Sequence, residues 1–432
     1  MKKSFMAGVA FVIGVLVAPV AGQTFSDIAG EKNKSPEKTG DDSEFRPDTS
    51  YTDIFGAFRL NYMYTNYEGK RSPLGTAGRN EFTWDTWRLG VNAYSKGVEL
   101  SFEYRFYPTF NTHFIHHGWL GYHFNSNTNI QLGISQVPFG DLPFASHSWW
   151  FQIPYYVGLE DDYQIGFRLE HQQNKWLFHL AYYLMAEPRG TSEASYGTFE
   201  AARYSYDVVP VEGNTNIERN QINGRMEYHP GNLRAGLSVQ WLQIYNQSIE
   251  HTGHQVVLGG HINWDIKKWN FKAQAIYYNY RDVRNDQNEV LNVVQMGAYG
   301  FGTYDVAAEA SIVSAGLAYT LPVKLGPVSS IQLYNDFSLV SKYGEVDFYG
   351  VGNSFEKSMQ NVLGALLTAG KIYTYVDLAS GYNHPWLSGF FGGNALGSGY
   401  GERTSEPVSA ENPINRSGYW NTRLNINIGY YF

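Results

Sequence analysis

Cysteine is absent from the 432 residues, which removes disulfides, thiolate metal ligands and a lipoprotein anchor together. Long apolar runs are missing as well: beyond residue 22 a charged or amide side chain interrupts every stretch, which excludes an inner-membrane helical bundle. Basic residues are in deficit, 32 Lys and Arg against 40 Asp and Glu, and that argues against nucleic acid as a partner. Neither GxSxG nor HExxH occurs, so these hydrolase and metalloprotease signatures are missing. What is present is aromatic and small: 34 Tyr, 26 Phe, 11 Trp and 45 Gly. A mean hydropathy of -0.36 accompanies them, a mixture that fits aromatic-rich strands with one polar face.

The opening MKKSFMAGVAFVIGVLVAPVAG places Lys2 and Lys3 before an apolar run and then small residues, the layout of a secretory signal peptide. Cleavage is expected after Gly22, with Val20 at the minus-three position. Residues 23–50 are polar and charged, cannot bury a core, and are expected to form a flexible periplasmic arm.

The last segment, LNINIGYYF, alternates Leu424, Ile426, Ile428, Tyr430 and Phe432 with Asn425, Asn427, Gly429 and Tyr431. One apolar and one mostly small or polar face suits a strand with lipid on one side and water on the other. Sixteen such segments are expected between residues 51 and 432. They lie near 54–66, 81–95, 97–108, 112–125, 128–137, 162–173, 174–187, 217–229, 231–247, 253–265, 268–282, 308–321, 327–341, 357–370, 371–381 and 417–432. Connections after even-numbered segments are short throughout, whereas those after odd-numbered ones are long except the second and fifth. Outer-membrane barrels have short periplasmic turns and long external loops, and a soluble β domain has no reason for that parity. Aromatics gather where membrane interfaces should fall. Trp176, Trp264, Trp269, Tyr122, Phe124, Tyr430 and Phe432 stand at the predicted periplasmic rim, and Tyr62, Tyr64 and Trp84 at the other.

The expected fold is therefore all-β: a transmembrane antiparallel up-and-down barrel of about 16 strands, with a constricting third external loop. Sixteen strands leave a water-filled channel. The loop, Pro138 to Asp161, holds Asp141, Glu160 and Asp161 but no Lys or Arg, together with the aromatics Trp149, Trp150, Phe151, Tyr155 and Tyr156. Folded inward against basic wall residues, it would set a transverse field. Packed outside, it would be a lid. With Leu89 and Val91 facing lipid, Arg88 faces the lumen. The same alternation points Arg59, Glu99, Glu103, Arg105, Arg168, Glu170, Arg225, Glu227, Arg234, Lys272 and Arg423 inward, with Glu103/Arg105 and Arg168/Glu170 as wall ion pairs. His113, His116 and His117 read as a chance cluster rather than a zinc site, so no metal or cofactor is expected.

Several segments resemble the outer-membrane porin family typified by the phosphate-selective porins O and P: IQLGISQVPFG at 130–140, IQLYNDFSLVSK at 331–342 and YTYVDLASGYNHPW at 373–386. The resemblance implies a sixteen-stranded, trimeric porin that passes small hydrophilic solutes. It does not extend to the arginine-rich eyelet and lysine-rich vestibule on which phosphate selection depends in that family. Residues 51–432 carry a net charge near -7, which favours weak cation preference or little charge preference.

The functional expectation is thus a diffusion porin, not an enzyme, in a Gram-negative outer membrane. Lipid, lipopolysaccharide, the barrel insertion machinery, small hydrophilic solutes and further copies of the chain would be its partners. Phe432, with Tyr430 before it, resembles the carboxy-terminal signal which that machinery reads. A channel selective for sugars or organic solutes, using the loop aromatics, is the alternative within transport. An adhesin or structural barrel displaying the long loops 188–215 and 381–416 is the alternative from another class.

Overall fold

The computed structural model describes residues 50–65, 80–193, 199–300, 302–343, 357–387 and 420–432. The expected signal peptide, residues 23–49 of the expected arm and parts of five external loops lie outside the described residues.

Sixteen strands form one antiparallel wall. The first eight are β1 (Tyr51–Thr65), β2 (Asn80–Ser95), β3 (Val98–Tyr107), β4 (Thr112–Asn125), β5 (Thr128–Gln136), β6 (Tyr163–Gln173), β7 (Trp176–Ala186) and β8 (Asn216–Tyr228). The second eight are β9 (Leu233–Asn246), β10 (His251–Ile266), β11 (Trp269–Arg281), β12 (Glu309–Leu325), β13 (Val328–Lys342), β14 (Lys357–Ala369), β15 (Ile372–Tyr382) and β16 (Trp420–Tyr431). Each pairs with the next, and β16 returns to β1 from Ala57↔Tyr431 to Thr65↔Arg423. Closure is completed at the chain end, where the Gly56 and Phe432 amides donate to one another's carbonyls at 3.1 Å. The expected segments match these strands to within a few residues.

The wall forms because its two faces meet different media. Along β9, Leu237, Val239 and Trp241 point outward and are exposed, while Ser238, Gln240 and Leu242 are buried inside. Trp176, Trp264, Trp269, Tyr122, Tyr430 and Phe432 lie outward beside the short turns, and Tyr64, Phe82 and Trp84 toward the opposite rim. The short turns are built from residues that tolerate positive φ, including Lys96, Asn174, Gly231, Lys267, Gly326 and Gly370.

Two features depart from simple alternation. β-Bulges sit opposite Arg59/Leu60 and Glu103/Tyr104, and each turns two consecutive residues inward, Asp85 with Thr86 and His116 with His117. In addition, the stretch 283–307, expected as plain loop, contains a hairpin of Val293–Ala298 and Gly302–Ala307. Asp207–Val208 adds a third strand to it. Val294, Met296, Tyr304 and Val306 alternate into the buried side of this small sheet, which stands outside the wall's pairing order.

Candidate functional site

The third external connection, residues 137–162, lies on the inner side of the wall. Its neck is closed by the Val137 amide donating to the Asp162 carbonyl at 2.8 Å. From there its contacts step across the later strands. Arg225 of β8 donates to the Gly140 carbonyl at 2.8 Å, and Arg234 of β9 to that of Leu142 at 3.0 Å. Lys272 of β11 donates to the carbonyls of Phe144 at 2.7 Å and Ser146 at 3.2 Å. Phe139 sits over Gly259 of β10, where a Cβ would stand 2.8 Å from its ring. Further along, the Ile153 amide donates to Ser338 of β13 at 3.1 Å, and Gln360 of β14 donates to the Phe151 carbonyl at 3.3 Å.

A latch fixes the far side of the segment. Asp336 of β13 accepts the amides of His147 and Ser148 at 2.7 and 2.8 Å, and the His147 ring at 2.8 Å. The other ring nitrogen of His147 reaches the Asn270 side-chain oxygen at 2.6 Å. Gly316 makes this possible, because a Cβ there would collide with Asp336 and His147. Sequence alternation gives Asp336 an inward direction but cannot name a partner 189 residues away.

The segment's own acids are occupied. Asp141 lies 3.1 Å from Arg234 and 3.9 Å from Lys272, and accepts from Asn263 at 2.8 Å. Asp161 accepts from Tyr204 at 2.5 Å and Gln136 at 2.7 Å. Burial, only partly offset by these donors, pushes its carboxyl up to about 6. Glu160 accepts the Ala145 amide at 3.0 Å, and burial pushes it up to about 8.

Of the aromatics, Trp150, Tyr155 and Tyr156 are buried, with Trp150 only 4 % exposed under the Arg423 guanidinium. Trp149 and Phe151 are partly buried against the same cluster. Tyr206 packs on Tyr155 and Tyr156, Tyr155 bonds Tyr299, and Tyr304 donates to the Tyr156 carbonyl at 2.5 Å, so the fourth and sixth external segments pack on the third.

Arg423, which meets the segment through Trp150, is followed round the wall by Arg59, Arg88 and Arg105, the four standing on neighbouring strands β16, β1, β2 and β3. Arg59 pairs with Asp85 at 2.9 Å, an acid that only the bulge brings inward. Arg88 lies 3.5 Å from Glu103 and over the Tyr431 ring, and Arg105 pairs with Glu103 beneath Tyr204. Farther round, Arg168 sits 3.2 Å from Glu170, while Arg225 pairs with Glu227, which also meets His261 and His229. The inward charges therefore form two groups. Arg225, Arg234 and Lys272 hold backbone of the third segment, Arg423 covers its Trp150 and Arg168 reaches the Gln136 carbonyl beside its neck, whereas Arg59, Arg88 and Arg105 line the wall farther from it.

No family model and no curated protein matches this sequence. Solved structures do match in fold. In-vitro folded OmpT of Vibrio cholerae, in its trimer form, is 12% identical, with 89% of this chain and 100% of that one covered at a TM-score of 0.54. The outer membrane channel DcaP of Acinetobacter baumannii is 12% identical, covering 90% and 99% at 0.52. OmpF of Salmonella typhi, solved with daunomycin, is 11% identical, covering 90% and 100% at 0.50. At these identities the likeness is one of architecture: the closed sixteen-strand barrel of the porins.

Proposed function

We propose that this chain is an integral outer-membrane porin, a water-filled channel for passive diffusion of small hydrophilic solutes and ions that works as a homotrimer. The observation that carries this reading is the two-sided wall. Sixteen strands close around an interior lined with paired charges and amides, while an apolar face turns outward, and a barrel of this size encloses more than its own side chains can fill. Channel and trimer are the properties named for DcaP and OmpT, whose architecture this chain shares.

Solute passes between the third segment, which narrows the lumen from the side of β8–β14 and reaches Arg423 of β16, and the arginine-bearing wall of β1–β3. There the guanidinium groups are countered by Asp85 and Glu103, with Arg88 also stacked on Tyr431, so charge preference is small and phosphate is not strongly selected. The sugar-channel reading is left with Trp149 and Phe151 as its stacking surface, because Trp150, Tyr155 and Tyr156 are spent on contacts within the protein.

Planar-bilayer recording tests the proposal. Stepwise currents with a small reversal potential in a salt gradient are expected, and a barrel that carries no current overturns it. Replacing Asp141 by Asn leaves Arg234 and Lys272 without their carboxylate, so the reversal potential should move toward anion preference. No movement removes the third segment from the solute path.

A further inference from the structure

His116 and His117 follow one another in β4, yet both rings are buried on the inner side, because the bulge opposite Glu103/Tyr104 adds one residue to the strand. The ring orientation is set by a chain of hydrogen bonds. Ser101 donates its only hydroxyl proton to Asn92 at 2.7 Å, so at 2.9 Å from His117 Nε2 its oxygen accepts. His117 therefore carries its proton on Nε2 and turns the lone pair of Nδ1 toward His116. The two Nδ1 atoms are 2.8 Å apart, bridged by the His116 proton. His116 Nδ1 lies 3.7 Å from Glu103 Oε1, and one donor atom from each of the three residues falls within 4.8 Å of the others. The remaining nitrogen of His116, Nε2, is buried without a hydrogen-bond partner.

We infer that Glu103, His116 and His117 form a binding site for a late first-row transition-metal ion, Cu2+ above Ni2+ and Zn2+. An ion about 2.0–2.1 Å from each nitrogen keeps neighbouring donors roughly 2.9–3.4 Å apart, so the two nitrogens part by only a few tenths of an ångström while the rings turn to bring their lone pairs off the N–N line. His116 shifts its proton from Nδ1 to the vacant Nε2, and both Nδ1 lone pairs then face the metal with no net proton release. Ser101 serves as the outer partner that holds the His117 ring.

The surroundings decide the class of ion. Glu103 already meets Arg105 and Arg88, so local charge does not draw a cation in, and Ca2+ and Mg2+, which depend on anionic oxygen ligands, are not held. Imidazole coordination is what remains, and it follows the order that peaks at Cu2+. The other triad of possible ligands, Asp141, Glu227 and His261, is weaker. It offers one imidazole instead of two, and both of its carboxylates are engaged, by Arg234 and Asn263 and by Arg225 and His229.

The test uses Cu2+ and the folded full-length barrel in detergent, followed by electron paramagnetic resonance and calorimetry. The first equivalent of Cu2+ should give a spectrum split by two nitrogens, unaffected by a hundredfold excess of Ca2+. His116→Gln and His117→Gln should each remove one nitrogen, and the double variant should lose the site. Ser101→Ala, which keeps all three ligands, should weaken binding about 10- to 100-fold. Heat-dependent gel migration reports that each variant is folded. A double variant with the wild-type spectrum and stoichiometry, or displacement by Ca2+, overturns the inference.

Discussion

Asp336 shows how much one carboxylate can organise in this barrel. Its two oxygens receive two loop amides and one imidazole, and the glycine that clears room for them, Gly316, lies on the neighbouring strand. Asp336→Ala leaves those donors unpaired at about 1–3 kcal/mol for each that stays buried, a cost borne by the loop and not by the strand pairing. Larger or noisier single-channel currents with an unchanged barrel melting temperature are therefore expected; a lowered melting temperature with quiet currents would place the role of Asp336 in the wall. At this scale the direction of a side chain is readable from alternation, as for Arg88 between Trp87 and Leu89. Alternation fails where the backbone inserts a residue. Asp85, the partner of Arg59, and the doubled His116/His117 are hidden from period-2 reasoning because a bulge leaves no mark in the residue types around it.

Under the proposed function, the third external segment is the element on which permeation turns. Its stem buries Glu160 and Asp161, whose carboxyls sit near 8 and 6, above the ordinary carboxylate range, because burial disfavours their charge. The seated loop therefore holds protons that a released loop gives up. The stability this contributes is complete below pH 4 to 5 and falls as pH rises through 6 to 8, where it levels off. Current noise and protease sensitivity of the loop should accordingly increase between pH 5 and 9, and Glu160→Gln should remove most of the increase; an unchanged profile in that variant would assign the pH response to another group. The sequence marks the segment by length and composition, since a long connection rich in aromatics between two strands is unusual. Its seat is not marked, because each contact joins residues far apart in the chain, and the hairpin of Val293–Ala298 and Gly302–Ala307 is concealed by the same length that identifies a loop.

For the molecule as a whole, strand count and orientation are the most legible properties, because they rest on a repeated pattern and on loop parity, and sixteen repetitions average out local exceptions. Closure itself is more delicate. At Gly56 an added Cβ would stand 2.6 Å from the Arg88 carbonyl and also strike the Phe432 ring, so Gly56→Val should force β1 away from its neighbours at a cost of about 1–3 kcal/mol. A lower temperature for the heat-dependent change in gel mobility is the expected result, and an unaltered temperature would mean that the β16–β1 seam contributes little to holding the barrel shut. The placement of the third segment also imposes a chronology. The segment is made after five strands, yet apart from Gln136 the wall groups that receive it run from Arg225 to Arg423, so these seats are synthesised later than their occupant. Strand pairing can proceed largely between neighbours in the chain, but the aperture cannot acquire its final form until the last strand is in place; the wall is built progressively, and the pore is finished at one stroke.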